Sequence, residues 1–250
     1  MEINLLSSKI YNRIAAGEVV ERPFSVVKEL VENSIDAGAS EIFIEIENGG
    51  ISLISITDNG FGIEKSQLKK ALLPHATSKI SSVSDLDNIQ TLGFRGEALA
   101  SIASVSKISI VSKPKDQEFG AKISADGGAS PIVEDHPAID GTVITVRNLF
   151  YNTPVRRKFL KTPSTEASHI NDYVEKLAIS HPDISFKFIN NGQIKLTTSG
   201  NGKQRDIIYS VYGREITSNT IELGSKYSPN FVEYAIYIYD LYEEENYYEN

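Results

Sequence analysis

Glu29, Asn33 and Asp36 fall at i, i+4 and i+7 within the stretch Lys28 to Ala39, KELVENSIDAGA. On an α-helix of about 3.6 residues per turn, that spacing aligns two carboxylates and an amide along one face. A second set is Asp58-Asn59-Gly60-Phe61-Gly62. Its glycines let a flat ligand approach the backbone, and a carboxylate at a strand end accepts a hydrogen bond from an exocyclic amino group such as that of adenine. A third set, Gly93-Phe94-Arg95-Gly96, runs into a helix predicted from Glu97. Unpaired backbone N–H groups there can receive phosphate oxygens, and Lys79 can add a positive charge. Each set also has a purely structural reading: a polar stripe facing water, a hairpin turn and a helix-entry turn.

The elements that must position these groups are legible. Val27, Leu30, Val31 and Ile35 give the Glu29 helix an apolar face, with Pro23 suited to its first turn and Gly38 to the left-handed position after its last. The stretch EIFIEIENGGISLISITDNG alternates apolar and polar residues on both sides of Asn48-Gly49-Gly50 and predicts a β-hairpin with Ile42, Ile44 and Ile46 on one face. A short helix is expected over Glu64–Leu73, halted by Pro74, and an apolar helix over Glu97–Val105. Residues 75–96 between them are polar and weakly periodic, as in a functional lid. Strands are expected at Lys107–Ser112, Gly120–Ala125 and Gly141–Leu149, a helix at Thr165–Ile179 and a second hairpin at Ile184–Thr198. After a Gly200-Asn201-Gly202 linker come a helix over Arg205–Tyr212, a strand over Phe231–Tyr239 and a frayed ending. Tight-turned strand pairs with helices between them predict an α+β fold, a layer of helices on a mostly antiparallel mixed sheet.

Composition narrows the function classes. The chain has 250 residues, 40% hydrophobic and 23% charged, which is the profile of a globular protein with one sizeable core and part of a second. No cysteine is present, so thiolate chemistry and cysteine-held zinc are excluded, and the four histidines form no H-x-x-x-H or H-x-E pair. No membrane-length apolar run or signal-like N-terminus occurs, so a cytoplasmic location is expected. The formal charge of −8 is uneven: residues 221–250 hold seven acids and one lysine, a net −6, leaving −2 for the rest. A near-neutral body with local basic patches can still contact phosphates. Arg156, Arg157, Lys158 and Lys161 form the most basic cluster, readable either as a solvated face or as a DNA-phosphate contact.

Two familiar nucleotide signatures are missing. There is no G-x-x-x-x-G-K-[ST] and no G-x-G-x-x-G after a strand. What the chain does carry, in order, is Glu29-Leu30-Val31-Glu32-Asn33-Ser34 with Asp36-Ala37, Asp58-Asn59-Gly60 with Gly62-Ile63, Ala76-Thr77-Ser78-Lys79-Ile80, Gly93 to Ile102 and Gly141-Thr142. This order resembles the GHKL ATPases, the Bergerat-fold group of gyrase B-type topoisomerases, the ninety-kilodalton heat-shock chaperone, histidine kinases and MutL mismatch-repair proteins. Within that group Ile14 to Pro23, Gly93 to Ile102 and Asn148 to Leu160 look like MutL segments, and the resemblance covers about residues 3 to 215.

The resemblance implies an ATPase that uses ATP and Mg²⁺. Glu29 would be the general base toward water, Asn33 the Mg²⁺ ligand and Asp58 the reader of the adenine amino group. Asp36, Ala37, Gly60, Gly62 and Ile63 would lie near the nucleotide, with Thr142 supporting the adenine pocket. Thr77, Ser78 and Lys79 would open a lid that ends at Gly93, Phe94, Arg95, Gly96, Glu97, Ala98 and Leu99 beside the phosphates. These roles suit phosphoryl transfer to water, which needs a hard cation, a positioned nucleophile and donors around developing charge. The family also implies an ATP-dependent homodimer through the N-terminal domain, closing on DNA, and a MutS-type mismatch-recognition partner; a bacterial member would be nucleoid-associated. Residues 1–202 are expected to be the ATPase domain and 203–250 the partial start of a second domain. That family's second domain delivers a lysine to the γ-phosphate, and the acidic ending here does not resemble it. The rival reading is therefore a nucleotide-binding module without turnover.

Overall fold

The structure, a computed structural model, describes residues 19–77 and 96–220. Helix α1 (Pro23–Asp36) starts with proline in its first turn, where no N–H is needed, and buries Val26, Val27, Leu30 and Val31 completely. Each such side chain contributes about 1.5–3 kcal/mol when removed from water. The helix ends where Gly38 takes φ +69 and donates its N–H to Ile35 O at 2.9 Å, the left-handed stop expected of a glycine.

Strands β1 (Glu41–Glu47) and β2 (Leu53–Asp58) form the predicted antiparallel hairpin around a 3-10 turn at Asn48–Gly50. Ile42, Ile44 and Ile46 are all buried, so the period-two pattern does define a core face. Helix α2 (Lys65–Ala71) and helix α3 (Ala98–Val105) follow, then β3 (Lys107–Lys113), β4 (Gly120–Asp126), β5 (Ile132–His136) and β6 (Gly141–Arg147). After them come α4 (Pro154–Phe159), α5 (Pro163–Ser180), β7 (Ser185–Asn190), β8 (Gln193–Thr197) and α6 (Gln204–Asn219).

The eight strands make one sheet in the order β5-β4-β3-β6-β2-β1-β7-β8, antiparallel at every pairing except the parallel β1–β7. Ile56, Ile110, Ile123, Ile144, Val146, Phe186 and Phe188 on one sheet face join α1 and α5 in a single core cluster. This is the expected two-layer α+β arrangement, mixed but mostly antiparallel.

Several element bounds differ from expectation. β6 stops at Arg147, not Leu149, because Asn148 and Phe150 turn the chain through the left-handed region at φ 54 and 61. α5 begins two residues early, since Thr162 caps it by accepting the Thr165 N–H at 3.3 Å and Pro163 fills its first turn. α6 runs on to Asn219 across a break at Gly213; its Ile207 and Ile208 are both buried, and Ile207 joins the main core. β5 and α4 were not expected. The expected strand over Phe231–Tyr239, the ending after it and most of the polar stretch 75–96 lie outside the described residues.

Candidate active site

Glu29, Asn33 and Asp36 occupy one face of α1, and all three are half-buried. The stripe therefore does not simply face water. Next to it on the same helix, Ser34 is 3% exposed. Its hydroxyl donates to Asp58 Oδ2 at 2.8 Å and lies 3.3 Å from Leu30 O. One side chain thus ties the helix carrying the carboxylate–amide stripe to the carboxylate at the end of β2.

Asp58 is itself buried, 6% exposed. Gly60 N–H donates to its Oδ1 at 3.0 Å. Burial pushes its carboxyl above the ordinary aspartate value, opposed by hydrogen bonds from the Ser34 hydroxyl and the Gly60 and Thr142 backbone N–H groups. Thr142 is the register partner of Asp58 across β2 and β6. Its hydroxyl lies 2.9 Å from Ser112 Oγ, which donates to Gly141 O at 3.0 Å and accepts the Ile63 N–H at 2.7 Å. Asp58, Ile63 and Thr142, predicted separately, are held in one hydrogen-bonded group.

The glycine loop packs closely on the end of α1. Phe61 N–H donates to Ala37 O at 3.0 Å, and a Cβ on Gly60 would lie 2.7 Å from that same oxygen. Gly62 has φ +75 and could carry no Cβ without meeting Lys113 O at 2.5 Å. Asn59 looks away from the site: its Oδ1 accepts the Ser40 and Glu41 N–H groups at 2.9 and 3.0 Å and locks β1 to the end of β2.

Thr77 and Gly96, the described residues on either side of 78–95, belong to one neighbourhood. A Cβ on Gly96 would lie 2.7 Å from Ala76 O, and His75 Nδ1 is 3.0 Å from Glu97 Oε1. Glu97 is the N-cap of α3 without any side-chain cap bond, and Ala98 and Leu99 form the half-buried first turn. Ser78, Lys79, Gly93, Phe94 and Arg95 lie outside the described residues.

The basic cluster stands apart. Arg156, Arg157 and Lys158 are on α4 and Lys161 just beyond it. The preceding turn is bonded to the C-terminal end of α3, with Phe150 N–H on Val105 O at 2.8 Å and Asn152 Nδ2 on Ser104 O at 2.9 Å. The candidate phosphate turn is at the other end of that helix, about 12 Å away at 1.5 Å per residue.

Sequence reasoning missed Ser112 and gave no role to Ser34 and Gly141, which it met only as parts of longer motifs. Ser34 left a faint trace, as a polar residue between the apolar positions Leu30, Val31 and Ile35. Gly141 has φ +104, and a Cβ there would lie 2.0 Å from Asp58 O, so only glycine lets β6 begin beside this site. Two surface grooves, one bordered by Glu64, Lys65 and Lys69 and one over Ser109, Ser124 and Thr145, contain no candidate residue. Among the described residues no three His, Cys, Asp or Glu side chains cluster as a metal site.

The fold, with the carboxylate–amide helix laid against the glycine-looped end of a central strand, is that of the GHKL ATPases. Residues 21–130 match the family described as histidine kinase-, DNA gyrase B- and HSP90-like ATPase. The DNA mismatch repair protein MutL of Agathobacter rectalis is 56% identical over 221 residues, covering 88% of this chain and 34% of that protein. MutL of Clostridium acetobutylicum is 57% identical over 221 residues, covering 88% and 36%. Among solved structures, the Aquifex aeolicus MutL ATPase domain complexed with ADP aligns with a TM-score of 0.65 at 31% identity, over 78% of this chain and 70% of that one. The chain belongs to the MutL DNA mismatch-repair family and carries its ATPase domain. It spans about a third of the length of the curated relatives it matches.

Proposed function

We propose that this chain is the ATP-binding and slow Mg²⁺-dependent ATP-hydrolysing domain of a mismatch-repair mediator. The observation that carries the reading is the 2.8 Å bond from Ser34 to Asp58. It ties the Asp58 carboxylate, in this reading the purine acceptor, to the helix that carries Asn33 and Glu29. Asp58 accepts the adenine amino group while Gly60 and Gly62 admit the ring, with Thr142 and Ile63 supporting the pocket. Asp36 and Ala37 border the ligand.

Glu29 takes the proton of the attacking water, and Asn33, one turn on, offers an amide oxygen toward a hard cation. An oxygen donor beside a triphosphate suits Mg²⁺, which is typically held by one or two protein oxygens plus phosphates and water. When bound, the cation neutralises charge on the phosphate oxygens. The N–H groups of Gly96, Glu97, Ala98 and Leu99, with Thr77, Ser78, Lys79, Gly93, Phe94 and Arg95, receive the phosphates as residues 77–96 order over the nucleotide. That ordering makes ATP a conformational switch. The closeness of Ala76 and Gly96 supports a segment closing at a single place.

In this reading residues 1–202 are the ATPase domain, and 203–250 start a second. ATP-driven pairing of two N-terminal domains forms a clamp on DNA, with Arg156, Arg157, Lys158 and Lys161 on its phosphates and a MutS-type protein as partner. The reading places the work in the cytoplasm, at the nucleoid. Among the described residues no helix is long and apolar enough to cross a membrane.

Single-turnover hydrolysis compared with equilibrium ATP binding tests the proposal. Glu29→Ala should keep binding and abolish turnover, whereas Asn33→Ala should weaken Mg-ATP binding itself. Normal Mg-ATP binding by Asn33→Ala would remove the metal assignment. Binding without turnover in the unaltered chain would leave a nucleotide-binding module.

A further inference from the structure

Helix α4 has no buried residue, yet two apolar side chains lie on one of its faces. Val155 and Phe159 are i and i+4, and they are 67% and 79% exposed. Arg157 and Lys158 flank that stripe and Lys161 follows it. Among the described residues no carboxylate lies within ion-pair distance of these three cations. A six-residue helix depends on packing, and a cover that is both apolar and acidic would complement this face. Duplex DNA answers mainly the charged half of that requirement, since about half to two-thirds of protein–DNA hydrogen bonds go to phosphates and sugars.

Residues 239–249, YDLYEEENYYE, have both properties. Glu243, Glu244 and Glu245 are consecutive and flanked by Tyr239, Tyr242, Tyr247 and Tyr248. Residues 221–250 hold seven of the chain's twelve tyrosines and a net charge of −6, against −8 for the whole chain. We propose that this acidic, tyrosine-rich segment docks on the face of α4 formed by Val155 and Phe159, its glutamates against Arg157, Lys158 and Lys161, and so competes with DNA for the same cations.

The reach is sufficient. Some twenty residues separate the end of α6 from Tyr239, and a stretch of that length can span at most about 65 Å at about 3.3 Å each, beyond the roughly 45 Å width of a domain this size. Because segment and face belong to one chain, docking within that reach is intramolecular, and an effective concentration approaching millimolar is enough to hold a weak contact and to raise the apparent dissociation constant of DNA. Only the consequence for DNA rests on the proposed function; the docking does not.

The chain has no tryptophan, so Phe159→Trp in the full-length chain gives a single reporter on the docking face. Its emission is expected at the short wavelength of a covered indole, shifting to that of an exposed one when Glu243, Glu244 and Glu245 are changed to Gln. The same shift is expected when Arg157, Lys158 and Lys161 are changed to Gln instead. Circular dichroism confirms that each variant is folded. Dilution by about a hundredfold should leave the emission unchanged, as intramolecular docking requires. An exposed-indole spectrum in the reporter alone, no response to either charge change, or emission that tracks protein concentration would each overturn the proposal, the last by making a second copy the occupant. With a duplex oligonucleotide in fluorescence anisotropy, the three glutamine changes in the acidic run should tighten binding about tenfold, with no effect once Arg157, Lys158 and Lys161 are glutamine. Equal tightening in both backgrounds would mean bulk charge and would count against docking. If no form binds DNA, the DNA reading fails and the reporter still decides the docking.

Discussion

Asp58 concentrates the opposing demands on this site. Burial works against its ionised form, and three donors partly restore it. A carboxyl whose folded pKa is raised stabilises the fold most below its unfolded pKa, and that contribution is lost as pH rises through the folded value. At neutral pH its charge is therefore a burden on stability. Asp58→Asn should remove it, leaving unfolding free energy in urea unchanged or higher by about 1 kcal/mol while weakening ATP binding roughly tenfold or more. A clearly less stable Asp58→Asn protein would show that the carboxylate is structural. Ser34→Ala removes the largest of the opposing hydrogen bonds and should raise the Asp58 pKa further. ATP affinity would then fall away at a higher pH than in the unaltered protein, a displacement that titration calorimetry across the acid range detects. Overlapping pH profiles would mean that Ser34 serves only packing.

At the scale of elements, the hydrogen-bonded group around Asp58 exists because β6 can begin against β2. Gly141→Ala would press a Cβ to within 2.0 Å of Asp58 O at a φ of +104. It should cost about 2–4 kcal/mol in denaturant unfolding, together with a loss of ATP binding. A well-folded Gly141→Ala protein that still binds ATP would show that the β2–β6 junction relaxes easily. Much at this scale was legible in local pattern. The alternation of Ile42, Ile44 and Ile46 and the proline and glycine bounding α1 each follow from a few neighbouring residues. β5 was not legible because Ile132–His136 is an edge strand of mixed exposure without clean alternation. α4 escaped because PVRRKF buries nothing and so leaves no helical period. Ser34 and Asp58 are 24 residues apart, and their bond follows from seating α1 beside the end of β2, a tertiary fact that no window of the sequence contains.

The molecule as a whole joins α1, the sheet and α5 in one core cluster, and that cluster includes the Val26–Val31 face behind the candidate site. A domain built this way is expected to unfold cooperatively, so a ligand that binds only the folded state stabilises all of it by mass action. ATP with Mg²⁺ at about a hundred times its dissociation constant should add about 2.7 kcal/mol to the unfolding free energy. In the proposed role Glu29 acts on the water and not on the resting ligand, so Glu29→Ala should show the same gain. Asp58→Asn should show little gain at the same ATP concentration, although its unliganded stability is equal or higher. The three proteins therefore sort in a way that fold damage cannot imitate: an unstable variant loses its baseline, whereas a variant without purine recognition keeps its baseline and loses only the increment. An ATP increment in Asp58→Asn equal to that of the unaltered chain would move the nucleotide away from the β2 end of the sheet.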